Sequence, residues 1–268
     1  MNCMAQDRTL TCSLETVQEL TGTAVARMFK LMTDHYDSIT GDQFRHDLLW
    51  KQFVLVLRDD EQTIQGFSTI AINPRGCGTD AYNVLFSGDT IIAREFWGTQ
   101  EIVRGFCTAA GGFKAAEPHK RLYWYLLSKG HRTYMYLPLF FRHYIPALNT
   151  DNELQALHRV ADDCSGKLFP PFWNSDTGVL QFPRRIGELK AHLADDTRAR
   201  AHKRHVRFFL DRNPGYAAGD ELVCVTELDA ANMRSLPKKY FMRGLEQSMH
   251  WDHPEKNRVR YLETQYHY

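Results

Sequence analysis

The stretch from Tyr82 to Phe113 constrains the fold more than any other. Tyr82 to Ile92 is rich in Val, Ile, Leu and Phe and reads as a strand, interrupted at its centre by the turn-prone Ser87-Gly88-Asp89. Past Trp97-Gly98-Thr99-Gln100, the apolar residues Ile102, Val103, Phe106, Ala110 and Phe113 fall at helical spacing, and Gly111-Gly112 is expected to weaken the last turn. A bent strand that turns through a glycine into a helix leaves free amides at the helix start, where an anion can sit.

The flanking sequence supplies partners for that strand. Val25, Met28, Phe29, Met32 and Tyr36 form an apolar stripe that predicts an opening helix over 23–36, and Thr40-Gly-Asp-Gln43 has the spacing of a capping box before a second one. Gln52–Arg58 and Thr63–Ile72, joined by the polar Asp59-Asp60-Glu61-Gln62, predict two antiparallel strands. Arg121–Ser128 reads as a buried strand, followed by a helix through Tyr134 and Phe140. Beyond residue 145, Phe169–Trp173 reads as a loop, Arg184–Ala194 and Arg198–Leu210 as helices, and Glu221–Thr226 as a strand after the turn Asn213-Pro-Gly-Tyr216. There is no internal repeat. Two parts are expected, 1–148 and a C-terminal α+β region over 149–268.

Composition excludes several classes. Among 268 residues, 33 Lys and Arg face 32 Asp and Glu, a balance unlike the basic excess of a dedicated nucleic-acid binder. Cys3, Cys12, Cys77, Cys107, Cys164 and Cys224 are scattered with no CxxC pair, which predicts reduced thiols and neither a zinc site nor a disulfide framework. The first sixteen residues lack the pattern of a signal peptide and no apolar run reaches membrane-spanning length, so a cytoplasmic location without a membrane span is expected. Gly76-Cys-Gly-Thr-Asp-Ala81 matches a dinucleotide fingerprint, but a strand follows it where that motif needs a helix. His202 and His205 lack a carboxylate partner motif, and no metal is expected.

In order of elements, Leu85–Ile102 resembles the acyl-donor segment of GNAT acetyltransferases, and Tyr123–Tyr136 is similar to that family's fifth strand and the helix carrying a Tyr. The likeness covers residues 23–145. The loop departs from the family pattern: Glu95-Phe-Trp-Gly98-Thr-Gln100 keeps one glycine of two, and Gln100 crowds the close approach of a pyrophosphate. FSGDTI, the Trp-Gly loop and YWYLLSKGHRTY further resemble GNAT-like maturases that fatty-acylate Lys or Orn in ribosomal peptides. The resemblance implies an α/β fold with a GNAT-like mixed, mostly antiparallel central sheet flanked by helices, with the region after 148 as an acceptor-binding extension. It also implies N-acyl transfer to an amine or peptide from an acyl-CoA or acyl-carrier-protein phosphopantetheine thioester, with an acyl carrier protein as a partner in the second case.

The chemistry names the candidate residues. An amine with a pKa near 10.4 is protonated at neutrality and must lose a proton before it attacks a thioester. Asp89 is the best-placed carboxylate, with Glu95 in reserve, and a bulge residue bonding its own backbone is the competing reading. Ser87 reads as a substrate contact or a structural hydroxyl. Backbone N–H groups over 91–93 are candidates to hold the oxyanion. Tyr136 lies at about the family's position for the acid that protonates the thiolate, with Tyr134 and His131 as alternatives. Arg94, Trp97, Gly98, Thr99, Gln100 and Arg104 are the candidates to hold the donor. The basic run Arg198–Arg207 reads as a solvated helical face or a dock for an acidic carrier. An acyl or peptide sensor that keeps the fold without catalysis is the alternative function.

Overall fold

A computed structural model describes residues 9–76, 78–148, 154–182 and 187–247. The first element among the described residues is a strand, β1 (Thr11–Thr16), where a helix is expected first. Cys12 and Leu14 alternate with polar residues over too short a span to signal a strand, and pairing with β3 (Phe53–Arg58) decides the conformation. Then come α1 (Gly22–His35), β2 (Tyr36–Asp37) and α2 (Gly41–Leu49), whose Thr40 hydroxyl accepts from the Gln43 amide at 3.2 Å.

β4 (Ile64–Arg75) pairs antiparallel with β3 and with β5 (Tyr82–Ile92). β4 runs three residues past the expected end at Ile72, through Pro74. The β3 ladder stops at Phe53–Ile70, so one side of β4 is an edge there and tolerates a residue without an N–H. Then follow α3 (Glu101–Ala116), β6 (Arg121–Ser128), α4 (His131–Tyr134), α5 (Tyr136–Phe140) and β7 (Tyr144–Ile145). The one helix expected over 131–140 is therefore two short ones.

The sheet does not end at residue 148. α6 (Gln155–Leu168), β8 (Trp173–Asn174), β9 (Val179–Leu180), β10 (Glu188–Leu189), α7 (Ala191–Ala199), α8 (Arg204–Arg212), β11 (Glu221–Glu227) and α9 (Ser235–Leu245) follow. β11 pairs antiparallel with β6, giving the order β1-β3-β4-β5-β6-β11-β9-β8, with β7 also on β11 and β10 paired to β2. Among the described residues only β5 and β6 pair in parallel. The expected α/β class with a mixed, mostly antiparallel sheet between helices is what the chain adopts. Residues 183–186 lie outside the described residues, and 187–190 are extended where a helix is expected. The run Arg198–Arg207 is two helices parted by a turn.

Two cores hold the sheet. Val84 and Phe86 face a cluster under α6 with Tyr125, Leu157 and Cys164, while Leu85 faces the larger cluster shared with α1, α3 and α9. α3 continues past Gly111 to Ala116, and that glycine makes room for α9: a Cβ there would lie 2.1 Å from the Phe241 carbonyl of α9, and one on Gly244 would lie 2.0 Å from the Thr108 carbonyl of α3. The glycines let the two helices meet backbone to backbone.

Candidate active site at the parted strands

β5 and β6 stay paired from Tyr82–Arg121 to Ser87–Leu126 and then separate, although β5 continues to Ile92. The cause is local. Ser68 faces Thr90 and Ile70 faces Ser87, so Gly88 and Asp89 together oppose Thr69, a bulge that bends β5 away from its parallel neighbour. β6 keeps its other edge on β11 through Leu222–Ser128 and cannot follow. Past the bulge the Ala93 amide donates to the Gln65 carbonyl at 2.7 Å, so strand alternation turns the Ile92 N–H away from β4 toward the opening. Of the amides expected over 91–93, that of Ile92 alone faces the gap.

Two clefts lie on either side of the gap, and both are lined by Tyr36, Thr90 and Thr133. The α2-side cleft, about 520 Å³, has aromatic walls from Trp50, Phe86, Phe169, Phe172 and Phe182, and carries Asp42, Asp47, Asp89 and Glu221. Lys51 is its buried cation, 7% exposed, with Nζ 3.4 Å from the centroid of the Trp50 ring and 4.2 Å from that of Phe86. Burial pushes the Lys51 ammonium down to about 8, against the pull of Asp89, Asp47 and Glu221. Lys129 pairs with Glu221 at 3.2 Å. Burial, helped by Asp89 and Glu221, raises the Tyr36 phenol and keeps it protonated.

The α3-side cleft, about 700 Å³, is walled by Trp97–Gln100, α4, α5 and the C-terminal helices α7 and α8. Its charge has the opposite sign. Asp196 bonds Arg132 and Arg200, each at 2.8 Å, while Lys203 and Arg204 add exposed cations. Burial pushes the Asp196 carboxyl up, but the bonds from Arg200 and Arg132 outweigh it and hold the group below its ordinary range. The Arg132 guanidinium lies 4.0 Å from the centroid of the Trp97 ring, whose Nε1 donates to the Ile92 carbonyl at 2.8 Å.

Trp97, Gly98 at φ +96°, Thr99 and Gln100 line this cleft, as do His131 and Tyr136. Thr99 Oγ1 accepts from the Glu101 amide at 3.2 Å, and Gln100 stands at the N-cap of α3 without a side-chain cap bond. Arg94 is exposed near the Trp97 ring, at 5.7 Å, and Arg104 is paired with Glu101; neither lines the cleft. Burial pushes the Tyr136 phenol up to about 12, and its ring packs against Phe140 and Trp124. His131 is buried and lowered to about 4, chiefly by burial. Thr197 Oγ1 donates to the Leu193 carbonyl and therefore accepts from His131 Nδ1, at 2.8 Å.

Asp89 lies half-buried in the bulge on the α2-side cleft, and Glu95 is exposed outside both clefts. Ser87 and Tyr134 line neither cleft. Ser87 is buried and accepts from Trp124 Nε1 at 2.8 Å, and the fully buried Tyr134 hydroxyl donates to the Pro146 carbonyl at 3.2 Å. Sequence reasoning misses Lys51, Tyr36, Arg132 and Glu221, because no local pattern reports that elements so far apart converge. Residues beyond 148 line both clefts. Four cysteines among the described residues are free, and burial raises their thiols to about 12; no cluster there suits a metal and no helix is long and apolar enough to cross a membrane.

No protein-family model matches the chain, and no curated protein does. Solved structures match about half of it at low identity. A protein of unknown function from Enterococcus faecalis V583, described as a probable N-acyltransferase, is 11% identical over 50% of this chain, with a TM-score of 0.36; the chain spans 33% of it. YhbS, a GNAT-family N-acetyltransferase from Escherichia coli in complex with CoA, is 13% identical over 50% of this chain and 71% of its own, with a TM-score of 0.35. NAA60 from Arabidopsis thaliana, in complex with a bisubstrate analogue, is 10% identical over 53% of this chain and 92% of its own, with a TM-score of 0.37. At that distance the reading of the site rests on its own geometry.

Proposed function

We propose that this chain is an N-acyltransferase of the GNAT type, in which a thioester and an amine meet where β5 and β6 part. One observation carries the reading: two clefts of opposite charge open on the two sides of the gap and share Tyr36, Thr90 and Thr133. The cationic α3-side cleft suits a donor arm that bears phosphate, either CoA or the phosphopantetheine of an acyl carrier protein. Its apolar residues Met135, Leu139, Leu189, Leu193 and Leu236 suit a fatty acyl chain. The acidic, aromatic α2-side cleft suits an ammonium group, and the Lys or Orn side chain of a peptide has the reach to enter it.

In this mechanism the thioester carbonyl oxygen lies against the Ile92 N–H, which stabilises the charge of the tetrahedral intermediate. Asp89 draws in the ammonium and takes a proton from it. The freed amine attacks the carbonyl, the C–S bond breaks, and the thiol departs into the α3-side cleft. A thiol of ordinary pKa, about 8.5, is a good leaving group near neutrality. Tyr136, held protonated, serves the departing sulfur as a hydrogen-bond donor more than as a full acid. Residues 1–148 supply the gap, and 149–268 complete both binding clefts.

The test is incubation with acyl-CoA and acyl-carrier thioesters of graded chain length plus amine and Lys-peptide acceptors, read by intact mass and thiol release. Transfer that is lost in Asp89→Asn and slowed in Tyr136→Phe supports the mechanism. Tight binding without turnover of any donor would leave an acyl or peptide sensor instead.

A further inference from the structure

The α2-side cleft buries a lysine that the transfer mechanism above does not use. Lys51 follows Trp50, the C-cap of α2, and packs across the β5 bulge; a Cβ built on Gly88 would fall 2.6 Å from Lys51 Nζ and 2.7 Å from Thr69 Oγ1. Gly88 is therefore what admits the amine to the strand beside Asp89. The charged and titratable groups around it come from three other elements: Asp47 of α2, Asp89 of β5 and Glu221 of β11, the last already engaged by Lys129. The Thr69 hydroxyl at the same point is buried with no hydrogen-bond partner among the described residues, as expected where substrate or water completes the bonding.

We propose that Lys51 is the terminal proton acceptor of the transfer reaction, receiving from Asp89 the proton that the acceptor ammonium gives up. The inference rests on the transferase reading. In the relay an N–H bond of the ammonium breaks and an O–H bond forms on Asp89. That bond in turn breaks as the neutral Lys51 amine becomes an ammonium, which the three carboxylates stabilise. The second proton lost by the attacking nitrogen leaves with the thiol, and Lys51 returns its own to water through the cleft mouth. Net transfer therefore yields amide, thiol and one solvent proton.

An amine titrating at about 8 holds such a proton well at working pH and is still neutral in a useful fraction of molecules. Two aromatic faces and the bulge backbone exclude water from Lys51, and that desolvation outweighs the attraction of the rings and the carboxylates for the charged form.

The experiment compares kcat against pH at saturating acceptor for the full chain, Lys51→Arg and Lys51→Met, with thermal melts to show that each folds. Wild-type kcat is expected to rise through about pH 8 and level off. Arg fills the space and keeps the charge but cannot give up its proton, so both variants should lose about a hundredfold or more and lack the limb near pH 8. A limb owed to the substrate's own amine would persist in both. Wild-type rates with the limb intact in Lys51→Arg would overturn the proposal. If no thioester and amine pair turns over, the transferase reading fails by itself. The pH dependence of Lys51 labelling by acetic anhydride then decides: a midpoint near 8 keeps the neutral amine, and one near 10.4 overturns it.

Discussion

The two clefts share a gap and little else. On the α3 side, cations on α4 and on the C-terminal helices surround one carboxylate, Asp196, which is bonded to two arginines. On the α2 side, carboxylates from α2, β5 and β11 surround one buried lysine. A chain with a net charge of only +1 has therefore sorted its charges in space, so that two clefts of opposite sign form without an excess of either in the whole. The aromatic residues divide similarly: Trp97 stacks on an arginine, while Trp50 and Phe86 face a lysine.

The sharpest way to break this comparison is Asp89→Asn, which removes charge from one cleft only. Turnover should fall by about 10²- to 10⁴-fold with donor affinity unchanged; an equal loss of donor binding would mean that the clefts are not separate in function.

The next largest effect is on stability. A His lowered from 6.5 to about 4 by burial stays neutral when folded, so the unfolded chain binds the extra proton and about 3 kcal/mol of stability is lost as pH falls through that window. A Lys lowered from 10.5 to about 8 behaves alike at higher pH: the unfolded chain again holds more protons, and stability rises by about 3 kcal/mol between pH 8 and 10.5. Thermal melts should show His131→Gln flattening the acid window and Lys51→Met the alkaline one, each without touching the other.

Gly88→Ala sharpens the contrast within the α2-side cleft. The new methyl displaces the lysine tip, so kcat should drop by about ten- to a hundredfold from misplacement, with donor KM unchanged. The smallest effect is expected from Lys203→Gln with Arg204→Gln. Each exposed charge contributes at most about 1 kcal/mol, so donor KM should rise by about tenfold, less at high salt, and kcat should hold.

Much of the scaffold is legible in the sequence. β5 and β6 occupy the residues that their composition marks, Tyr82–Ile92 and Arg121–Ser128, because buried strands bounded by turn residues carry their signal locally. α9 is hidden by Pro237 near its start, and the use of Gly111 in α3, which is to admit the backbone of α9, shows only in the packed structure. Among the candidate residues, Asp89, Tyr136 and the Trp97–Gln100 loop face the clefts, whereas the roles of Ser87 and Tyr134 turn on hydrogen bonds to Trp124 and Pro146 that no spacing reveals.

By itself, then, the sequence determined a bent strand leading through a glycine turn into a helix, with Ser87-Gly88-Asp89 at the bend, since turn chemistry and periodicity act between near neighbours. Only the tertiary structure decided that the bend opens a gap. β6 is held by β11, about a hundred residues further along the chain, while β5 turns away with β4. It also decided the chemistry of Lys51, because the water it loses is displaced by residues from α2, β5 and the C-terminal region, and desolvation is a property of the packed whole.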